Sequence, residues 1–250
     1  MAIPFHTKAA TAVINPFLPI SSGLVRVVLL NEGSGSPVEL VGAGTGTLEN
    51  SAAWSTADTN LGTTVQFSAG TTTSINFGAG GLSHGNGDLS VFWGGECPVI
   101  GGLEHNAGAI AGTGVDTYHF GLNTSGGGRF VLSNVVGIDA PNGQLTAGSY
   151  YTCGIAYDKS TSVRFHIYNQ TTSAMVHAPE TVNDTNTPAQ VANNSTVGSK
   201  WDATSSWGSD LGFLYVWNRV VTDAEFEQLH QDMYAPFRPT AWRHFLLGVS

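Results

Sequence analysis

The sequence predicts an all-β protein: two antiparallel sheets packed as a sandwich, with one short helix close to the C-terminus. Three observations predict this. The first is composition, for only 11% of the 250 residues are charged, 32 are glycine, and 41% are hydrophobic with 10% aromatic. An average soluble domain carries about 25% charge and about 7% glycine, so the polar surface here comes from Ser, Thr, Asn, Gln and the backbone. Such a chain builds many short strands joined by turns. The second is a succession of short apolar runs of period two, separated by turn-forming residues. The third is that helical periodicity occurs once, after the last apolar run.

Residues 1–22 contain Pro4, Pro16 and Pro19 and no periodicity, and read as an extended arm. Ile3, Phe5, Val13, Ile14, Phe17, Leu18 and Ile20 make the arm too apolar for a solvated tail, while the prolines block a helix and interrupt a ladder. Its order is therefore expected from another subunit, with packing on its own sandwich as the alternative. Residues 24–30 form a strand closed by the turn cluster 31–37. Short strands follow near 46–49, 63–67 and 74–77, and residues 88–97 form another with Leu89, Val91 and Trp93 on one face. Residues 117–122 and 129–136 form a hairpin around Ser125 and Gly126 to Gly128; residues 150–157 and 162–168 form a second around the polar turn 158–161. In the last of these strands Val163, Phe165 and Ile167 alternate with Arg164, His166 and Tyr168.

Residues 178–209 are polar and read as a long loop region with at most a short strand near 195–198. Residues 211–219 are apolar on both faces, which places this strand centrally, with Trp217 and Phe213 or Leu214 in the core. Thr222 to Glu225 spells a capping box, in which hydroxyl and carboxylate satisfy each other's backbone donors. Phe226, Leu229 and Met233 then share one face of a short helix, which Pro236 stops. The organisation is an arm at 1–22, a sandwich at 23–239 and a tail at 240–250.

Nine basic residues against eighteen acidic give a net charge of −9, which argues against nucleic acid as a partner. No stretch reaches the roughly 18 to 20 apolar residues of a membrane helix, and the first twenty residues lack the apolar core of a signal peptide. No membrane partner is expected. Cys97 and Cys153 do not make a disulfide framework, and reduced buried thiols are favoured over a pair. Few charges lower repulsion and desolvation cost where large surfaces meet, which suits packing into an assembly; a secreted β-protein shares the same composition.

The C-terminal strand and helix carry a family resemblance. Gly212 to Phe226 (GFLYVWNRVVTDAEF) resembles the "G-x-I-x-x-V-x-I-W-N-R-A-L-S-x-x-E-I" ending of concanavalin A-like lectin/glucanase domains of the laminin G-like type. Leu229 and Met233 to Pro239 (MYAPFRP) resemble the tail found in bacteriophage versions. Asn15-Pro16, Gly23 to Val25 and Leu30 to Gly35 resemble their start, and Tyr151 to Asp158 with Ser162 to Tyr168 resembles the family's "W-x-x-V-x-x-T-Y-D-G-S-x-V-x-L-Y-V" hairpin, with Tyr for Trp. The resemblance implies a jelly-roll sandwich over nearly the whole chain and leaves function open, because this fold hosts lectins, glycanases and structural modules.

Glycanase chemistry on such a fold needs two carboxylates flanking the scissile bond. No E-x-D-x-x-E strand is present, and Glu96 and Glu104 are too irregularly spaced to share a face. The eight histidines, at positions 6, 84, 105, 119, 166, 177, 230 and 244, show no metal-binding spacing. A non-catalytic chain without a cofactor is expected. Laminin G-like domains can hold Ca²⁺ at the sandwich rim, for which Asp184, Asn186 and Asp202 are candidates, although solvated loop carboxylates are the commoner case; Trp201 and Trp207 are candidates for stacking on sugars, with cover of the sandwich edge as the favoured alternative. The first functional expectation is a bacteriophage virion structural protein, a capsid decoration or similar auxiliary subunit. It would be assembled in the host cytoplasm, as a homo-oligomer contacting the major capsid or tail protein. The alternative is a carbohydrate-binding module that attaches a tail or head fibre to host surface glycan.

Overall fold

The computed structural model describes residues 13–42, 44–56, 61–68, 73–79, 87–99, 105–112, 115–132, 136–140, 143–159, 161–183, 194–199 and 206–237. Among them, fifteen strands form two antiparallel sheets of a jelly-roll sandwich. In chain order these are β1 (Leu24–Val28), β2 (Thr47–Glu49), β3 (Ala53–Ser55), β4 (Thr64–Gln66), β5 (Ser74–Ala79), β6 (Leu89–Glu96), β7 (His105–Gly112) and β8 (Val115–Leu122). They continue as β9 (Gly128–Leu132), β10 (Val136–Asp139), β11 (Tyr150–Asp158), β12 (Ser162–Asn169), β13 (Ala174–Asn183), β14 (Asn194–Val197) and β15 (Asp210–Trp217), followed by helix α1 (Asp223–Gln231). One sheet runs β13-β12-β11-β6-β15-β4-β3, with β1 also paired to β15; the other runs β10-β9-β8-β7-β14-β5-β2.

The period-two pattern sorts side chains as the sequence suggests, and then the outer face is used as well. Leu89, Val91 and Trp93 of β6 point between the sheets, where Phe120, Phe130, Ile155 and Phe165 meet them. Phe92 points the other way, into a second cluster with Phe213, Tyr215 and Trp217 of β15 and Phe226 and Leu229 of α1. That is why β15 is apolar on both faces: every one of its eight residues is buried. Each large side chain so buried contributes about 1.5–3 kcal/mol. The close fit of helix to sheet depends on Gly154 of β11, where a Cβ would lie 2.6 Å from the Phe226 ring.

The capping box forms as expected. Thr222 Oγ1 accepts from Glu225 N at 3.3 Å and Glu225 Oε2 accepts from Thr222 N at 2.9 Å. Arg219 then grips the same carboxylate through two hydrogen bonds of 2.7 and 2.8 Å. Burial works against the charge of Glu225, but Arg219 and Thr222 outweigh it and hold the carboxyl below its ordinary range.

The arm is a correction to the expected subunit contact, as far as it is described. Pro19–Ser21 forms a 3-10 turn that buries Ile20 beside Val27 and Trp217, with Ile14 and Leu18 packed on the same cluster. Asn15 N donates to Pro236 O (2.8 Å), Trp217 Nε1 to Ile20 O (2.8 Å), and Arg219 Nε to Ser22 O (2.6 Å). Residues 14–22 thus take their order from their own chain. Residues 1–12, and the tail at 240–250, lie outside the described residues.

Four strands differ from expectation. β13 runs from residue 178 onward into the region expected to be loop: it contains Pro179, which an edge strand tolerates because one side of its ladder is free. β7 (HNAGAIAG) has small residues that carry no apolar alternation, and β3 is only three residues long. The expected strand 129–136 divides into β9 and β10, which pair with each other antiparallel. Cys97 and Cys153 are free buried thiols, both raised by burial, Cys97 to about 12.

Candidate functional site

A sandwich has two outer faces, and here they differ. On the eight-stranded sheet the outer face is covered by α1, residues 14–22 and the segment through Phe237. The seven-stranded sheet carries polar groups outward. One row of its register aligns Thr47, Asn76 and Thr196 on β2, β5 and β14, while the neighbouring positions Leu48, Ile75 and Val197, with Phe120 and Phe130 further along the sheet, face the core. On one margin the Glu49 carboxylate accepts from Ser74 Oγ and from Asn76 Nδ2, each at 3.0 Å. On the other, Arg129 pairs with Asp139 at 3.8 Å across β9 and β10. Thr196 and Val131 between these margins are buried, so the middle of the face is sheltered. Carboxylate, amide and guanidinium groups fixed on a rigid sheet form the directional hydrogen bonds that polyhydroxylated ligands need.

A second polar group sits at one end of the central strands. Leu211 of β15 pairs with Gly95 of β6, which places Asp210 and Glu96 side by side. Ser209 Oγ donates to Glu96 Oε2, and Thr64 Oγ1 donates to Asp210 Oδ2 at 3.0 Å. Burial pushes the Asp210 carboxyl up; the Thr64 and Ser55 hydroxyls oppose this and the charge of Glu96 adds to it. Sequence spacing argues against a carboxylate pair of Glu96 with Glu104. The structure gives Glu96 a different neighbour, 114 positions along the chain, that only strand pairing brings near; Glu104 lies outside the described residues.

The third group lies under α1. His166 Nε2 is 3.1 Å from Asp223 Oδ1, which also accepts from Arg164 NH1 at 2.6 Å. His230 Nδ1 is 2.7 Å from Thr152 Oγ1, and Gln170 Nε2 donates to that hydroxyl (2.8 Å) and to His230 O (2.9 Å). The two imidazoles are 6.4 Å apart, among Phe92, Phe226 and Tyr168. The spacing of histidines along the chain does not signal this pair. The signal is indirect: His166 alternates outward on β12, and His230 lies four residues after Phe226 on the helix's apolar face.

Of the expected site residues, Trp207 is corrected. It is 1% exposed, packs edge-on against Trp93 at 5.0 Å and donates from Nε1 to Asp210 O at 3.3 Å, so it fills the core instead of offering a face to sugar. Trp201 and the calcium candidates Asp184, Asn186 and Asp202 lie outside the described residues.

No protein-family model matches the chain, and no curated protein matches it by sequence. Solved structures do match its fold. Domain 4 of AbnA, a GH43 extracellular arabinanase from Geobacillus stearothermophilus, in complex with arabinotriose, is similar over 83% of this chain and 98% of that one, at 13% identity and TM-score 0.60. The Ruminococcus gnavus IT-sialidase CBM40 bound to α2,3-sialyllactose is similar over 67% and 95%, at 13% identity and TM-score 0.50. Trypanosoma rangeli sialidase in complex with 2,3-difluorosialic acid is similar over 85% of this chain and 34% of that one, at 11% identity and TM-score 0.59. The chain thus spans about a third of the sialidase's length. These likenesses show the class of fold, a β-sandwich compatible with the lectin/glucanase-like type. They also overturn the expectation of a non-catalytic chain: the sandwich occurs within carbohydrate-cleaving enzymes as well as binding modules, and the missing sequence motif does not separate the two.

Proposed function

We propose that the chain is a carbohydrate-recognising sandwich module that presents the outer face of its seven-stranded sheet to glycan. The observation that carries this reading is whole-module similarity. The arabinanase domain and CBM40 are matched over 98% and 95% of their own length, and both are named with an oligosaccharide bound. The face itself supports it, since Glu49, Asn76, Arg129 and Asp139 leave polar groups on a rigid sheet whose opposite number in the sandwich is covered. The test is a glycan array probed with the purified chain, including sialylated and arabinan oligosaccharides, followed by product analysis of every ligand retained. Selective, saturable retention supports recognition, and uniform absence of binding overturns it.

The setting we propose is the surface of a bacteriophage particle, as a host-adhesion or decoration subunit. Its motivation is the phage-type start and tail motifs in the sequence. A specific observation favours the decoration role: Val13 and Phe17 are 75% and 81% exposed at the junction with residues 1–12, where an adjoining subunit would cover them. Mass spectrometry of purified particles, with the chain found or not found at stoichiometric copy number, decides this part.

A further inference from the structure

We propose that α1 is an acid-released latch, held on the eight-stranded sheet while His166 of β12 and His230 of α1 are neutral and lifted from it when they become charged. This goes beyond the glycan reading and does not depend on it.

The geometry comes first. His230 is buried against β11 and β12: Nδ1 meets Thr152 Oγ1, and Nε2 is buried with no hydrogen-bond partner among the described residues. His166 is buried too, with Nε2 on Asp223 and Nδ1 likewise without a partner. A neutral imidazole can leave one nitrogen unmatched at modest cost. An imidazolium has two N–H donors to satisfy and a charge to solvate. Around His230 stand Phe92 of β6, Thr152 of β11, Tyr168 and His166 of β12, and Gln170; none of these neighbours carries a negative charge at neutral pH. Around His166 stand Arg164 of β12, which opposes its charging, and Asp223 and Glu227 of α1, which favour it, with Phe226 covering the ring at 4.7 Å. His230 is therefore the stronger trigger.

Burial pushes His230 down to about 3, with His166 adding to the effect, and burial lowers His166 despite Asp223. Once the helix lifts, both regain ordinary values near 6.5. Docking is thus at full strength above that value and weakens as pH falls below it, for His230 down to about 3. Each histidine raises the opening constant by up to about tenfold per pH unit in that window. What opening uncovers is apolar: Phe92, Phe213 and Tyr215 beneath Phe226.

The experiment is native-state hydrogen exchange on the full chain at pH 7.5, 6.5 and 5.5, corrected for intrinsic exchange. The opening constant of amides 227–231 is expected to rise about tenfold between pH 6.5 and 5.5, with β6 and β15 unchanged. His230→Gln is expected to flatten that rise. A flat wild-type profile, or a rise in the His166→Gln, His230→Gln double variant as large as that of the wild type, overturns the latch. Should those variants fail to fold, imidazole NMR titration of the wild type decides it. A His230 resonance that titrates near 6.5 with α1 still protected contradicts the latch, and one that stays neutral until α1 loses protection supports it.

Discussion

Trp217 joins the arm to β15 at one side chain. Its ring packs edge-on to Tyr215 at 6.0 Å on the outer face of β15, and its Nε1 ties down Ile20 from the arm. Trp217→Ala is expected to cost about 3–5 kcal/mol, the range for a large aromatic removed from a core, as read by urea denaturation. Tyr215 makes the opposite case. Its hydroxyl is buried without a partner among the described residues, and burial pushes its pKa well above the usual phenol value. Since an unsatisfied buried hydroxyl costs about 1–3 kcal/mol, Tyr215→Phe is expected to be neutral or stabilising in the same assay. The sequence shows that both residues belong to a strand buried on two faces. It cannot show which polar atom finds an acceptor, because Ile20 stands 197 positions away.

At the scale of elements, local rules read the helix well. Thr222, Glu225 and the Phe226–Leu229 spacing define its start and its buried face, and the structure forms that capping box. Thr222→Ala is expected to cost about 0.5–2 kcal/mol by the loss of this cap, measured by thermal melting. The arm was less legible, because its apolar residues and prolines show that it must be covered but not by which surface. Deleting residues 1–22 removes Ile14, Leu18 and Ile20 from the outer cluster. At about 1.5–3 kcal/mol for a fully buried side chain, and about 2–4 °C per kcal/mol in a domain of this size, the truncated monomer is expected to melt at least about 5 °C lower. An unchanged melting temperature would return the arm to a neighbouring subunit. β7 and β13 were missed for a different reason: small residues and Pro179 hide a strand whose place is set by its neighbours in the sheet.

Across the whole molecule, alternation and turn chemistry made the sandwich legible, whereas the candidate sites were not. Strand pairing assembles three of them, Glu49 with Asn76, Arg129 with Asp139 and Glu96 with Asp210, and the docking of α1 on β12 assembles the fourth, His166 with His230. The tryptophan chosen from its polar surroundings, Trp207, is core because the residues after it turn into β15. The proposal that the margins of the seven-stranded sheet, and not the face under the arm and α1, meet ligand is the central claim. Its most direct test is an NMR titration of the isotope-labelled chain with a glycan retained on the array. The expected result is saturable shifts on β2, β5, β9 and β10, with Asn76→Ala or Arg129→Ala weakening binding about tenfold, close to 1.4 kcal/mol. Shifts confined to α1 and the eight-stranded sheet, or affinity untouched by either substitution, would contradict it.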